Sequence, residues 1–239
     1  MADSTAEHWR PWEAKPGLRA YYRDQIFARL AAALVAGPTL EIGSGPGFFA
    51  AYNPGMVSAD IVLGPAVDIC LDAQALPFRP NSFANVAGID VLHHLARPAA
   101  ALAEIARVLR PGGRLVLIEP WTGLFGRFMY RYFHHESCVA VADPWFQAMP
   151  ADKHPLEGNA MIPKTVLADR PEELARHGGG LTTIRVAPFG IVSYVMTGGF
   201  RPWGLPAALI GAAARLESLL PKPLAAVLAT RALFVAERG

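Results

Sequence analysis

The chain has 239 residues, 52% of them hydrophobic and 18% charged, with a formal net charge of +2. That length suits one well-filled domain carrying insertions, and so apolar a composition excludes a disordered chain. Lys and Arg are too nearly balanced by acids, and too scattered, for a nucleic-acid surface.

The two cysteines, Cys70 and Cys138, form neither a metal motif nor a disulfide framework, which suits a reducing cytoplasm. The first stretch, MADSTAEHWRPWEAKP, has acids and prolines and no apolar run, so it does not read as a secretory leader. Residues 1–10 read as loose. The charge-free stretches 186–200 and 202–214 are broken by Gly and Pro and fall short of the roughly 20 apolar residues of a membrane span.

In chain order, residues 17–36 place Leu18, Tyr21, Tyr22, Ile26, Leu30 and Leu34 at helical spacing, ended by Gly37-Pro38. Short apolar runs follow at 39–42, 56–61, 66–71 and 83–89. A helix is expected over 98–110, closed by Pro111-Gly112-Gly113, and then a strand over 114–120. Strands apolar through their length, alternating with helices, predict a parallel sheet covered on both faces. The rhythm lapses over 121–168, resumes with a helix at 169–177 capped by Asp169, and ends with strands at 181–188 and 232–238. A second insertion, 189–231, separates those two strands and includes the apolar segment 205–228.

The stretch TLEIGSGPGFFAAYNPG (39–55) sets Gly43, Gly45 and Gly47 at alternate positions just beyond the first sheet strand. In an open α/β sheet that is where ligands sit, and glycines there allow positive φ and close approach of a ligand to the backbone. A dinucleotide fingerprint needs its third glycine at position 48, which is Phe48, and a phosphate-cradling loop needs a Gly-Lys-Ser/Thr ending that is lacking. Carboxylates on successive strand ends, acceptors only, suit a diol and an amine and would repel phosphate. A nucleoside without phosphates fits best.

Glu41-Ile42-Gly43-Ser44-Gly45-Pro46-Gly47 resembles motif I of the class I S-adenosylmethionine-dependent methyltransferases. Further resemblances follow in order: Asp60 at the second strand end, LDAQALPF (71–78), FANVAGIDVLHHL (83–95) and IARVLRPGGRLVLIEP (105–120). Together they span about residues 38–120. The resemblance implies a doubly wound, seven-stranded Rossmann-like sheet in the order 3-2-1-4-5-7-6 and a methyltransferase domain over 38–239 with insertions 121–168 and 189–231, preceded by the cap helix that the spacing above places within 1–37. It implies S-adenosylmethionine as cofactor and S-adenosylhomocysteine as product. The residues it points to for the cofactor are Glu41, Gly43, Ser44, Gly45, Gly47, Asp60, Ile61, Asp72, Ala73, Gly88 and His93, with Asp60 on the ribose hydroxyls and Asp72 on the adenine amine. The helix between Gly47 and Pro54 is shorter than is usual in the family, a form shared by a bacterial subgroup with an EPW…YRYFHHE stretch.

The same resemblance makes the sixth strand parallel to its neighbours, so that both insertions leave from the cofactor rim and shape an acceptor pocket. Candidates for a proton-abstracting group are His134, His94 and Tyr130, the first and last sharing a face if 129–137 is helical. His93, His94, His134, His135 and Glu136 could be imagined around a metal, but adjacent histidines point poorly at one ion, and no metal is expected. The expected activity is methyl transfer, O-methylation first, to a small-molecule, glycan or lipid-like acceptor. Alternatives are a regulator or subunit that binds the cofactor without turnover, and an NAD(P)-dependent oxidoreductase. The segment 205–228 admits packing on its own domain, a homodimer contact or a peripheral membrane contact.

Overall fold

In the computed structural model, which describes residues 4–134, 136–150, 154 and 157–239, seven strands form one sheet. They are β1 (Thr39–Ile42), β2 (Val57–Asp60), β3 (Ile69–Cys70), β4 (Phe83–Ile89), β5 (Leu109–Pro120), β6 (Leu181–Phe189) and β7 (Arg231–Arg238). Their order is β3-β2-β1-β4-β5-β7-β6, as the resemblance implies. β1 to β5 are parallel throughout. β7 runs antiparallel to both β5 and β6. The sixth strand is therefore antiparallel to its one neighbour, contrary to expectation, yet it runs in the same sense as β5. The carboxyl ends of β5 and β6 thus share a rim, and both insertions do leave from it.

The alternation along the central strands divides the core into two layers. Val86, Leu115, Leu117 and Phe234 pack on one face with Leu102 and Ile105 of the helix Pro98–Val108. Ala87, Val116, Ile118, Leu233 and Val235 pack on the other with Leu18, Ile26 and Leu30. Each such fully buried Leu or Ile contributes roughly 1.5–3 kcal/mol relative to exposure.

The helices are α1 (Ser4–Ala14), α2 (Pro16–Tyr21), which continues through a π turn at Tyr22–Phe27 into α3 (Ala28–Ala31), α4 (Phe48–Tyr52), α5 (Pro98–Val108) and α6 (Leu124–Phe133). After them come α7 (Ile162–Lys164), α8 (Pro171–His177), α9 (Val192–Met196), α10 (Ala207–Ser218) and α11 (Lys222–Leu228). Residues 4–10, expected to be loose, begin α1. Its Trp12 stacks on Phe48 with ring centroids 3.9 Å apart, so aromatic packing fixes a segment that has no clean apolar period. α5 stops at Val108, two residues early, because Leu109 already pairs with Phe83; the next pair is Asn85 with Arg114, and the Pro-Gly-Gly stretch forms a bulge between them. Asp169 does not cap α8. Both of its carboxylate oxygens accept from Lys164 Nζ, at 2.6 and 2.7 Å, and Arg170 occupies the cap position.

Both insertions are tied down where they begin. The Trp121 amide donates to Thr230 O at 2.8 Å and the Thr230 amide to Gly190 O at 2.9 Å. α10 buries Ile210 and Ala214 and leaves Leu209 and Leu216 exposed. Among the described residues no helix is long and apolar enough to cross a membrane.

Candidate active site

The carboxyl ends of β1, β2 and β4 open onto a cavity of about 670 Å3. Gly43, Gly45 and Gly47 all have left-handed backbones, with φ of 62°, 50° and 77°. The loop is pinned to β2 by Ser44 N–H donating to Ala59 O at 3.0 Å and Gly45 N–H donating to Asp60 Oδ2 at 2.8 Å. A Cβ on Gly45 would meet nothing within 4 Å, so its bare backbone faces the open cavity. Gly47 is needed for another reason: a Cβ there would lie 2.4 Å from that of Ala66, and the residue does not line the cavity.

Beneath this loop sits Glu41, only 3% exposed, with Oε2 lacking any hydrogen-bond partner. Burial, helped by the negative charge of Asp60, pushes its carboxyl up to about 8. Ser44 Oγ is likewise buried and unpartnered. Buried polar atoms are rarely left so, and two of them on one cavity wall mark a ligand's polar end. The structure therefore supplies an orphaned acceptor and a backbone cradle where a compact amino-acid moiety would lie.

The other predicted cofactor residues divide. Asp60, Ile61, Asp72, Ala73 and His93 line the cavity with Glu41, Gly43, Ser44 and Gly45. Asp60 Oδ1 accepts from Val62 N–H at 2.9 Å, so this carboxylate organises the loop as well as facing the cavity. Asp72 Oδ1 accepts from the amide of Gln74 at 2.8 Å and from its side chain at 3.1 Å. Gly88 is a correction: it lies inside β4, away from the cavity, where a Cβ would meet Val91 Cγ1 at 2.7 Å and Leu117 Cδ2 at 3.1 Å.

At the far end the wall is aromatic, built from Tyr22, Phe48, Tyr194 and Phe200. Arg231, the first residue of β7, is 2% exposed there. Its guanidinium bonds to Asp90 and lies 4.8 Å from the centroid of the Tyr194 ring. Burial works against that charge, but Asp90 and Tyr194 hold Arg231 firmly protonated. Asp90 itself has φ of 55°, a conformation uncommon for a residue with a Cβ, just past the end of β4. Sequence reasoning missed Tyr22, Asp90, Tyr194 and Arg231.

The base candidates lie on the side wall. Tyr130 is a correction: its hydroxyl donates to Thr230 O at 3.0 Å, and burial raises its pKa well above the ordinary value, so it anchors α6 and is no base. His134 follows α6 directly and remains a third exposed; its Nδ1 accepts from Glu136 N–H at 3.3 Å. His135 lies outside the described residues. His93, almost fully buried, is held at both nitrogens: Nδ1 donates to Glu119 Oε2 at 2.6 Å, and Nε2 lies 3.2 Å from Glu136 Oε2. Burial alone would lower its pKa, but the two carboxylates override it and push it up to about 10. Glu119 also escaped notice in the sequence. Its Oε1 accepts from Val91 N–H at 2.8 Å and Leu92 N–H at 2.6 Å, which fixes the turn carrying His93 and His94. The signal was a carboxylate within the buried half of β5, residues 115–120, which demands partners.

Residues 40–117 match a family model described as a methyltransferase domain. A demethylmenaquinone methyltransferase of Deinococcus radiodurans is 37% identical over 131 residues, covering 50% of this chain and 49% of that protein. An uncharacterised methyltransferase of Mycolicibacterium paratuberculosis is 36% identical over 145 residues, covering 52% and 54% respectively. The chain thus spans about half the length of the curated relatives it matches. Among solved structures, the fold resembles the Burkholderia thailandensis 1,6-didemethyltoxoflavin-N1-methyltransferase, solved with 1,6-didemethyltoxoflavin and S-adenosylhomocysteine bound. That match has a TM-score of 0.50 at 14% identity, covering 99% of this chain and 86% of that one.

Proposed function

We propose that the chain is a class I S-adenosylmethionine-dependent methyltransferase, as the match to a methyltransferase domain over residues 40–117 supports, and that it transfers a methyl group to an oxygen of a small acceptor with a ring system. The observation that carries this reading is the floor of the cavity: the unpartnered Oε2 of Glu41 and the bare backbone at Gly45. Glu41 would receive the ammonium of the methionyl end, Asp60 the ribose diol and Asp72 the adenine amine, leaving the sulfonium toward the histidines and the aromatic wall. When bound, the cofactor supplies an activated methyl carbon and a thioether leaving group.

The chain's own task is alignment, worth up to about 7–11 kcal/mol, and proton removal, worth typically about 10²–10⁴-fold. Tyr22, Tyr194 and Phe200 suit a flat, partly apolar acceptor. His134 is the group assigned to take the acceptor's hydroxyl proton. The hydroxyl oxygen so freed would accept the methyl carbon that the bound cofactor supplies, with the thioether as leaving group. A small-molecule acceptor also agrees with the names of the demethylmenaquinone and didemethyltoxoflavin enzymes. The family match ends at residue 117, before both insertions, and the second of these supplies Tyr194 and Phe200 to the cavity wall.

Calorimetry with S-adenosylhomocysteine and with NAD tests the reading: the thioether should bind and NAD should not. NAD binding without thioether binding would overturn it. His134→Ala should lower turnover by about 10²-fold or more with little change in S-adenosylhomocysteine affinity.

A further inference from the structure

We propose that His93, His94 and Glu136 bind one divalent transition-metal ion, Zn2+ in the first place, on the side wall of the cavity. The two imidazoles, adjacent in sequence, were not expected to serve one ion, yet the short turn at Leu92–His94 sets their rings only 4.1 Å apart and 37° from parallel. Both Nε2 atoms face the same carboxylate, that of His93 at 3.2 Å from Oε2 and that of His94 at 3.5 Å from Oε1. One ligand atom from each of the three residues lies within 4.8 Å of the other two.

The two nitrogen–oxygen distances, one to each oxygen of Glu136, are close to the ligand separation of a coordination shell, and a small shift of the carboxylate brings one oxygen to both nitrogens. With metal–nitrogen and metal–oxygen bonds of about 2.0–2.1 Å, neighbouring ligands of a tetrahedral Zn2+ ion stand about 3.3 Å apart. Two histidines and a glutamate form a recognised catalytic zinc set, three protein ligands with a fourth position left for a water or a substrate. Nitrogen with one carboxylate also suits Co2+, Ni2+ or Fe2+ and does not suit Mg2+ or Ca2+.

One of the two imidazoles, that of His93, is braced as metal-holding histidines are. Histidines that hold a metal donate their other ring N–H to a carboxylate, which fixes the tautomer and turns the lone pair toward the ion. Glu119, wholly buried, does this for His93 at 2.6 Å and is itself braced by two backbone amides. The other side is closed by Gly158, whose backbone lies against both rings: a Cβ there would stand 2.7 Å from His93 Cδ2 and 3.0 Å from His94 Nδ1. His94 and Glu136 keep partial exposure to the cavity, which gives an ion its route in. A cation at this place would lower the pKa of a hydroxyl brought to its open position. That catalytic role rests on the methyl-transfer reading; the binding of the ion does not.

The test uses the full chain without a histidine tag, stripped with a chelator. Zn2+ is titrated calorimetrically, and Co2+ is followed by its visible ligand-field bands. The expected result is saturable binding of one ion per chain with the intense bands of tetrahedral Co2+. Glu119→Gln should weaken binding by about 10–100-fold, and His94→Ala or Glu136→Gln by more. No saturable binding, or binding that both ligand variants leave unchanged, overturns the proposal and leaves a purely hydrogen-bonded histidine–carboxylate cluster. S-adenosylhomocysteine binding is measured on the same samples, and circular dichroism checks that each variant is folded. A chain that binds the thioether and no ion refutes the metal alone, while one that binds the ion and no thioether refutes the methyltransferase reading alone.

Discussion

Replacing Glu41 by Gln should make the protein more stable at alkaline pH while weakening its grip on the cofactor. In the folded chain burial, with the charge of Asp60 behind it, raises this carboxyl from 4.5 to about 8. Between those values the folded state keeps a proton that the unfolded chain releases, so stability falls as pH rises through that window and stays low above it. At about 1.4 kcal/mol per tenfold change in the proton equilibrium, the whole shift amounts to roughly 5 kcal/mol. Glutamine fills the same space and cannot ionise. Allowing half of that figure for relaxation and water entry leaves about 2–3 kcal/mol, or roughly 5–10 °C in Tm for a domain of this size. Thermal melts of both proteins at pH 5, 7 and 9 read the effect directly. The Tm of the variant should match the wild type at pH 5 and exceed it by a growing margin at pH 7 and 9. A margin that is the same at all three pH values would refute the argument, since Glu41 would then not be a carboxyl held protonated by its surroundings.

Two further outcomes follow from the geometry. Asp60→Ala removes the acceptor of both Gly45 N–H and Val62 N–H, and it should weaken S-adenosylhomocysteine binding by about 100-fold or more, since hydrogen bonds to a charged group carry about 1.5–3 kcal/mol each. Calorimetric affinity within a few-fold of wild type would show that Asp60 faces no ligand. Gly158→Ala should lower Tm and reduce turnover together, because its Cβ has to displace His93 or His94 and overpacking of this kind costs about 1–3 kcal/mol; an unchanged Tm would mean that the segment lifts away from the rings at no cost.

How much of this was legible depended on the range of the interactions involved. β1, β4 and β5 declare themselves because strands buried on both faces read as largely apolar runs, and the glycine loop declares itself because positive φ at three alternate residues leaves little choice of side chain. α1 was hidden: Pro11 interrupts its pattern and its order comes from Trp12 on Phe48, a contact 36 positions away in the chain. β3 is two residues long and is defined by its pairing with Ala59 and Asp60. At the site, the floor was readable because its residues belong to one local loop and the strand ends beside it. The walls were not. Glu119 meets the turn at 91–93 across 26 to 28 residues, and Arg231 meets Asp90 across 141. Both look, locally, like charges at the edge of a strand. His93, His94 and Glu136 were visible as residue types; what the sequence could not give was that a fold over the segment from Ser137 to Asn159, bridged in parallel, would bring the carboxylate to both rings.

The Thr230 amide and the Gly190 carbonyl, 2.9 Å apart, make the segment between β6 and β7 a closed ring that departs from and returns to a single point on the rim. No sheet register crosses it, and loops with such joined ends are exchanged at little cost to the rest of a fold. Its ends are thus fixed independently of its length, while its middle is held by packing: Ile210 lies in the layer with Leu18 and Ile26, and Lys15 Nζ donates to the carbonyls of Arg201 and Trp203. Tyr194 and Phe200 ride on it and Arg231 stands just past its end. On the proposed reading, in which Tyr194 and Phe200 face the acceptor, a chimera that carries a relative's segment together with the residues it packs on is the direct test of what sets specificity.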